Sequence, residues 1–89
     1  METYVTLGMG YGSGSDEELR KEVEKTGAKL VLSHMLLGQY DWLAVFEAPD
    51  AHTASMAVYM AKRYLGITDK QSITMRAFTD DEMEALIAR

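Results

Sequence analysis

Hydrophobic and polar residues follow two periods along the chain, and these predict four strands and three helices. Alternation by twos is typical of a strand with one apolar face, and apolar residues spaced by three or four are typical of a helix. Two nearly continuous apolar runs also have the length of strands. The strands are predicted at residues 3–9, 28–37, 40–48 and 71–78. The helices are predicted at residues 16–26, 51–65 and 80–87.

Residues at the ends of the predicted helices have the expected capping chemistry. Side-chain oxygens of serine, threonine and aspartate accept hydrogen bonds from the first free backbone N–H groups of a helix. The N-cap residues are Ser15, Asp50 and Thr79, and two of them are followed three residues later by a glutamate, Glu18 and Glu82. Gly27 and Gly66 follow the first two helices, where a left-handed residue commonly ends a helix.

The order of these elements is typical of one fold class. Strand, helix, strand, strand, helix and strand form the ferredoxin-like α+β arrangement, a four-stranded antiparallel sheet with two helices on one face. A C-terminal helix follows. Only Gly38-Gln39 or Gln39-Tyr40 separates the two middle strands, which is the signature of a hairpin. With a length of 89 residues, the chain is predicted to form a single domain over residues 1–89.

Both faces of the predicted hairpin are apolar, whichever two residues form the turn. One face holds Leu30, Leu32, His34, Leu36, Leu43 and Val45, and the other holds Val31, Met35, Leu37, Tyr40, Trp42, Ala44 and Phe46. An antiparallel sheet with one face in water should alternate instead, and two helices cover one face only. We therefore expect a second copy to cover the other face, in a homodimer closed by two-fold symmetry. The alternative is that the terminal helix covers its own sheet.

Three segments, LGQYDW, EAPD and MRAFTDDEM, resemble the GYD domain family and follow one another in the order of that family. The resemblance begins at TYVTL and covers most of the chain. It implies ferredoxin-like subunits that pack sheet to sheet as a dimeric α+β barrel, and it implies no particular reaction. The segment GMGYGSGSDEELR is more compact than its usual counterpart in the family, so a function that depends on that segment is not implied here.

Composition and charge exclude several classes of protein. The chain has no cysteine, which excludes a disulfide framework and a thiolate metal site. Its net charge is −5 and its Lys and Arg residues are scattered, which argues against nucleic acid as a partner. No signal peptide or membrane-spanning run is recognised, and we predict a cytoplasmic protein that does not contact a membrane. His34 and His52 lack the spacing of metal ligands, so neither a metal nor a cofactor is predicted.

Tyr4, Thr6 and Arg76 are candidate ligand-binding residues. Tyr4 and Thr6 point away from the apolar side of the first strand, and Arg76 lies in a strand predicted beside it. A shared face would combine a cation, a phenol and a hydroxyl, which suits a carboxylate or a small acidic metabolite. The alternative for Arg76 is an ion pair with an acidic neighbour.

His34 is the fourth candidate for ligand contact and the candidate catalytic residue, because it lies in an otherwise apolar strand. A histidine in such a place can transfer protons or contact a bound ligand. The alternative is a partly buried histidine held by one hydrogen bond to its surroundings.

The segment Gly38-Gln39-Tyr40-Asp41 places a phenol beside a carboxylate, as acid–base sites do. Neighbours along a strand point to opposite faces, however, so these two groups cannot converge on one substrate atom. We interpret the segment as a turn in which the aspartate bonds nearby backbone N–H groups.

Two further patterns each allow two interpretations. The glycine-rich residues 8–14 lack the spacing of a phosphate-binding loop and predict a connection, with a weak anion site at Gly14-Ser15 as the alternative. The second helix carries methionines and tyrosines outside its alanine stripe, which indicate either a partner surface or an extended core. These residues are Met56, Tyr59, Met60 and Tyr64.

Two functional hypotheses follow from these features. The leading one is a homo-oligomeric module that binds a small ligand, acidic ligands included, or a protein partner without catalysing a reaction. The alternative is a cofactor-independent enzyme of the dimeric α+β barrel type, with His34 as proton shuttle in the pocket between sheet and helices. The enzyme requires His34 to face an open pocket with a second polar group within reach, whereas a binding module requires only a groove and an apolar surface.

Overall fold

The computed structural model describes residues 1–10, 15–66 and 72–88. The strands are β1 (Glu2–Gly8), β2 (Lys29–Met35), β3 (Trp42–Ala48) and β4 (Ile73–Ala77). The helices are α1 (Asp16–Glu24), α2 (Ala51–Leu65) and α3 (Asp80–Ile87). The strands form one antiparallel sheet in the order β2-β3-β1-β4. The predicted ferredoxin-like α+β fold, with its C-terminal helix, is confirmed.

The predicted caps are confirmed at the first and last helices. Ser15 Oγ accepts a hydrogen bond from Glu18 N at 3.2 Å, and α1 begins at the next residue after Ser15. At α3, Thr79 and Glu82 form a reciprocal capping box, with N···O distances of 2.9 and 3.1 Å. α1 ends at Glu24, earlier than the predicted residue 26. The start of each of these helices is therefore set by contacts within four consecutive residues.

The limits of α2 are those predicted from the sequence. Asp50 Oδ1 accepts a hydrogen bond from Thr53 N at 2.7 Å, and Gly66 ends the helix in the left-handed conformation, with φ of 74°. Ala54 and Ala57 are buried, because the small side chains on this stripe let the helix approach the sheet closely. Within the described ranges, none of the helices is both long and apolar enough to cross a bilayer.

The Asp50 cap predicts how stability depends on pH. The backbone hydrogen bond from Thr53, followed by that from its side chain, holds the pKa of Asp50 below its usual value. A carboxyl whose pKa is lower in the folded chain stabilises the fold above its unfolded pKa of about 3.9, and this contribution is lost as pH falls through the folded pKa. We expect the melting temperature to fall below about pH 4, and to fall less in Asp50→Asn, which keeps a capping oxygen that does not titrate. Circular dichroism melts across this pH range measure the difference. An equal fall in melting temperature below about pH 4 for the two proteins would contradict the prediction.

The hairpin has one of the two registers that the sequence allowed, but not the predicted two-residue loop. Met35 pairs with Trp42 and His34 with Leu43, which is the register of a turn centred on Gly38-Gln39. The strands stop short of that turn, however, and residues 36–41 connect them. The last bond between the two sides runs from the N–H of residue 36 to the carbonyl of residue 41, at 2.8 Å. The predicted end of the second strand at residue 37 and the predicted start of the third at residue 40 are therefore wrong, because the strands end before the turn, whereas β3 ends at residue 48 as predicted.

A β-bulge in β2 changes which side chains share a face. Leu30 opposes Phe46, whereas Leu32 opposes Val45, with a register shift between Leu30 and Leu32. An extra residue in one strand, here Val31, reverses the alternation of side chains beyond it. Leu30 therefore lies on the opposite face from Leu32, and the prediction that the two share a face is wrong.

The core lies between one face of the sheet and the helices α1 and α2. The buried apolar residues are Tyr4, Leu19, Val23, Ala28, Leu30, Phe46, Ala48, Ala54 and Ala57. The rings of Tyr4 and Phe46 stack on this face, with centroids 5.6 Å apart. The described helices α1 and α2 thus cover a single face of the sheet, as predicted.

The other face of the sheet, called the outer face below, is apolar at its centre. Its two central rows, each crossing all four strands, are Leu32–Val45–Val5–Met75 and His34–Leu43–Leu7–Ile73. A third row at one end is more polar and consists of Lys29, Glu47, Thr3 and Ala77. Met75 is 46 % exposed, and residues 80–88, which include α3, are exposed throughout. The terminal helix therefore does not fold over its own sheet.

Candidate functional site

A groove opens on the helix-covered side of the sheet, between β4 and the first turns of α2. Its volume is about 350 Å³, and it is lined by Tyr4, Ala51, Ala54, Ser55, Val58, Thr74 and Arg76. Tyr4 opposes Arg76 across β1 and β4, and Thr6 opposes Thr74. The shared face predicted for Tyr4, Thr6 and Arg76 is therefore present in the structure.

Carboxylates surround Arg76 at one end of the groove. Its Nη1 lies 3.0 Å from Glu2 Oε2, and its Nη2 lies 3.7 Å from Glu82 Oε2. The guanidinium carbon lies 4.5 Å from the centre of the Phe78 ring, in a cation–π arrangement. An acidic ligand would have to displace a carboxylate from this cluster. The ion-pair alternative for Arg76 is the one that the structure contains.

Tyr4 and Thr6 already have polar partners. The Tyr4 hydroxyl donates to Glu2 Oε1 at 2.6 Å, and this hydrogen bond, together with burial, raises the pKa of Tyr4 above its usual value. Tyr4 is therefore a neutral phenol at physiological pH. Thr6 is 1 % exposed and shares a hydrogen bond of 3.0 Å with the hydroxyl of Thr74, which lines the groove. Thr6 thus supports the wall of the groove from behind.

Ser55 is a groove residue that the sequence analysis did not identify. It lies in the first turns of α2, beside the buried Ala54, and faces β4 across the groove. The signal that could have found it is a single hydroxyl at helical spacing beside the alanine stripe. That signal is weak, because Ser55 can be recognised as a groove residue only when β4 is known to lie opposite α2.

His34 is not part of this groove. It lies on the outer face, opposite Leu43, whereas the groove and the core lie on the helix-covered face. The sheet itself therefore separates His34 from the pocket in which the enzyme alternative required it. His52 is exposed in the first turn of α2. Among the described residues, no three His, Asp or Glu side chains lie close enough together to hold a metal ion.

Asp41 connects the hairpin loop to the end of β1. Its Oδ2 accepts a hydrogen bond from Gly10 N at 2.6 Å, and its own N–H donates to Gly8 O at 2.8 Å. The interpretation of Gly38-Gln39-Tyr40-Asp41 as a turn whose aspartate bonds nearby N–H groups is confirmed. The anion-site alternative at Gly14-Ser15 includes Gly14, which lies outside the described residues.

Gly8 is a position of close approach between two strands. It pairs with Trp42, and a Cβ atom on Gly8 would lie within 3.0 Å of the Cζ2, Cε2 and Nε1 atoms of the indole ring. A cavity of about 20 Å³ lies beneath the same ring, between the sheet and the two helices. This volume holds roughly one water molecule, so the interior offers no room for a ligand.

The methionines and tyrosines of α2 divide between the two interpretations left open by the sequence. Met56 and Tyr59 are exposed, as a partner surface requires. Tyr64 packs against the core, and its hydroxyl donates to Glu18 Oε2 on α1. This hydrogen bond, with burial, raises the pKa of Tyr64. Part of this set therefore extends the core and part faces solvent.

Comparison with known proteins identifies a matching family. The family model described as the GYD domain matches residues 6–87. No curated protein and no solved structure matches the chain.

Proposed function

We propose a function in self-association and binding for this chain, which belongs to the GYD domain family. In this proposal two copies pack outer face to outer face and form a binding module. The observation that carries the proposal is the apolar centre of the outer face, where two rows of side chains cross all four strands. An antiparallel sheet with one face in water normally alternates apolar and polar side chains. Burial of such a surface stabilises an assembly by about 25 cal/mol per Å² of apolar area.

The character of the outer face favours a second copy as the occupant. A face that packs on its own copy around a two-fold axis needs to be self-complementary. Apolar side chains meet this condition, and they fill both rows except at His34, which lies in the edge strand β2. The third row adds Lys29 and Glu47 side by side at one end, which resembles the polar rim of a typical interface.

Pairing through the edges of the sheet is less favourable than packing through its face. The edges are β2 and β4. The bulge at Val31 interrupts the free edge of β2, and a bulge of this kind disfavours the addition of another strand. β4 is short, spanning Ile73–Ala77. The packing of two sheets face to face is therefore expected to stabilise the assembly more than the pairing of their edges.

The groove supports a second proposal, that each copy binds a small ligand. Its lining is apolar at Ala51, Ala54 and Val58, and Ser55 on α2 and Thr74 on β4 add hydroxyl-bearing residues. Arg76 already has two carboxylate neighbours. These groups favour a small ligand with an apolar body and neutral hydrogen-bonding groups over an acidic one. We also propose a cytoplasmic location, which the absence of cysteine fits.

Native mass spectrometry of the purified protein tests both parts. We expect a dimer, and we expect each dimer to carry extra mass from a retained ligand. A matched variant, Ser55→Leu, fills the groove without touching the outer face, and should lose the extra mass while remaining a dimer. A monomeric wild type would contradict self-association, and a dimer without extra mass would contradict the ligand site.

A further inference from the structure

α3 is an amphipathic helix whose apolar side is exposed. Met83, Leu86 and Ile87 lie at spacings of three and four and form one stripe, and Ile87 is 75 % exposed. No residue of α3 is buried. Isolated helices shorter than roughly 12 residues are marginal in water, whereas α3 has 8 residues and a complete capping box. A surface that packs on the stripe would supply the missing stabilisation.

The start of α3 is held at the margin of the sheet. Glu82 pairs with Arg76 at 3.7 Å, close to the end of β4, which is an edge strand. The chain has a radius of gyration of 13.4 Å, compared with about 12 Å for a typical domain of this length. Its longest dimension is 44 Å. α3 therefore begins at the β4 edge, on the side of the Arg76 side chain, and its exposed stripe remains available to a copy that packs beside this edge.

The area of the outer face indicates what the stripe packs against. Four strands at about 4.8 Å spacing and seven residues at about 3.3 Å rise give a face of roughly 19 by 23 Å. Two such faces bury roughly 900 Å², whereas stable interfaces bury about 1,200 to 2,000 Å². Two copies of the α3 stripe, each with three large apolar side chains, would supply the difference.

We propose that the α3 stripe of each copy packs on the second copy, at the margin of its outer face, and so completes the interface. This inference rests on the self-association proposed above. By two-fold symmetry, both helices make the same contact, so each substitution in the stripe acts twice per dimer. The double variant Leu86→Ser/Ile87→Ser should raise the dimer Kd at least about tenfold. Ala85→Ser, on the opposite side of the same helix, should leave the Kd unchanged.

Cross-linking tests the contact directly, because the chain has no cysteine of its own. A tagged Ile87→Cys protein is mixed with an untagged Met75→Cys protein and treated with a short bismaleimide, and Ala85→Cys replaces Ile87→Cys in the control. We expect a cross-link between the two different chains, well above the control. Sedimentation of each variant gives its dimer Kd.

The possible failures are distinguishable. A dimer with no cross-link above the control, and with an unchanged Kd in the double serine variant, would overturn the α3 contact and leave self-association intact. A link within one chain, in a protein carrying both Ile87→Cys and Met75→Cys, would show that α3 covers its own sheet and would also overturn the contact. A monomeric wild type would overturn self-association and the α3 contact together.

Discussion

Substitution of Gly8 by alanine is expected to lower the free energy of unfolding by about 2 to 3 kcal/mol, because the Trp42 ring occupies the space that the new methyl group needs. The added Cβ would lie within 3.0 Å of three atoms of the indole. The ring is rigid and lies over the small cavity beneath α1 and α2, so it has to move as a unit against packed neighbours. In a domain of this size, such a loss lowers the melting temperature by roughly 10 to 20 °C.

Thermal unfolding followed by circular dichroism measures this effect, and a double-mutant cycle identifies its cause. In a Trp42→Leu background the smaller side chain leaves room for the methyl group, so Gly8→Ala should cost clearly less there than in the wild type. Equal costs in the two backgrounds would show that the indole contact is not the reason.

Substitution of Val45 by lysine is expected to convert the proposed dimer to a monomer, with a rise in Kd of more than about a thousandfold. Val45 lies in a central row of the outer face, between Val5 on one side and Leu32 on the other. When two outer faces meet, each copy would have to bury one lysine ammonium group without a partner. In the monomer the same ammonium group reaches water, so the fold itself should persist.

The matched control is Val31→Lys, which places the same change in the bulge of the edge strand, at a valine that is 45 % exposed. Val31 belongs to neither central row, so this variant should remain dimeric. Analytical ultracentrifugation gives the Kd of each variant, and circular dichroism checks that both are folded. A dimeric Val45→Lys would contradict the outer face as the interface, and dissociation of Val31→Lys alone would assign the interface to the β2 edge instead.

The fold could be predicted from the sequence because its determinants are local. Ser15, Asp50 and Thr79 accept hydrogen bonds from N–H groups three residues away, so short segments are enough to recognise them. The limits of α2 follow in the same way from its cap at Asp50 and from Gly66, whose φ is positive. Alternation placed Tyr4 and Thr6 together within β1, and Arg76 with Thr74 within β4. The pairing of Tyr4 with Arg76, which the structure shows, then put the two sets on one face.

The candidate site could be predicted only in part. The partners of Arg76 are Glu2, near the other end of the chain, and Glu82, and neither contact leaves a pattern in the sequence. Ser55 became a groove residue because α2 packs opposite β4. His34 had an apolar neighbourhood whichever face it occupied, so its separation from the groove depended on which face the helices cover.

The sequence by itself determined the order of the elements, the helix caps and the apolar character of both hairpin faces, because each depends on spacing and on contacts a few residues apart. The tertiary structure alone decided where β2 bulges, which face α1 and α2 cover, and that α3 leaves the outer face open. It also decided that Gly8 and Trp42 meet and that carboxylates surround Arg76. These features depend on packing between segments far apart in the chain, where many arrangements satisfy the same local pattern and only the complete set of contacts selects one.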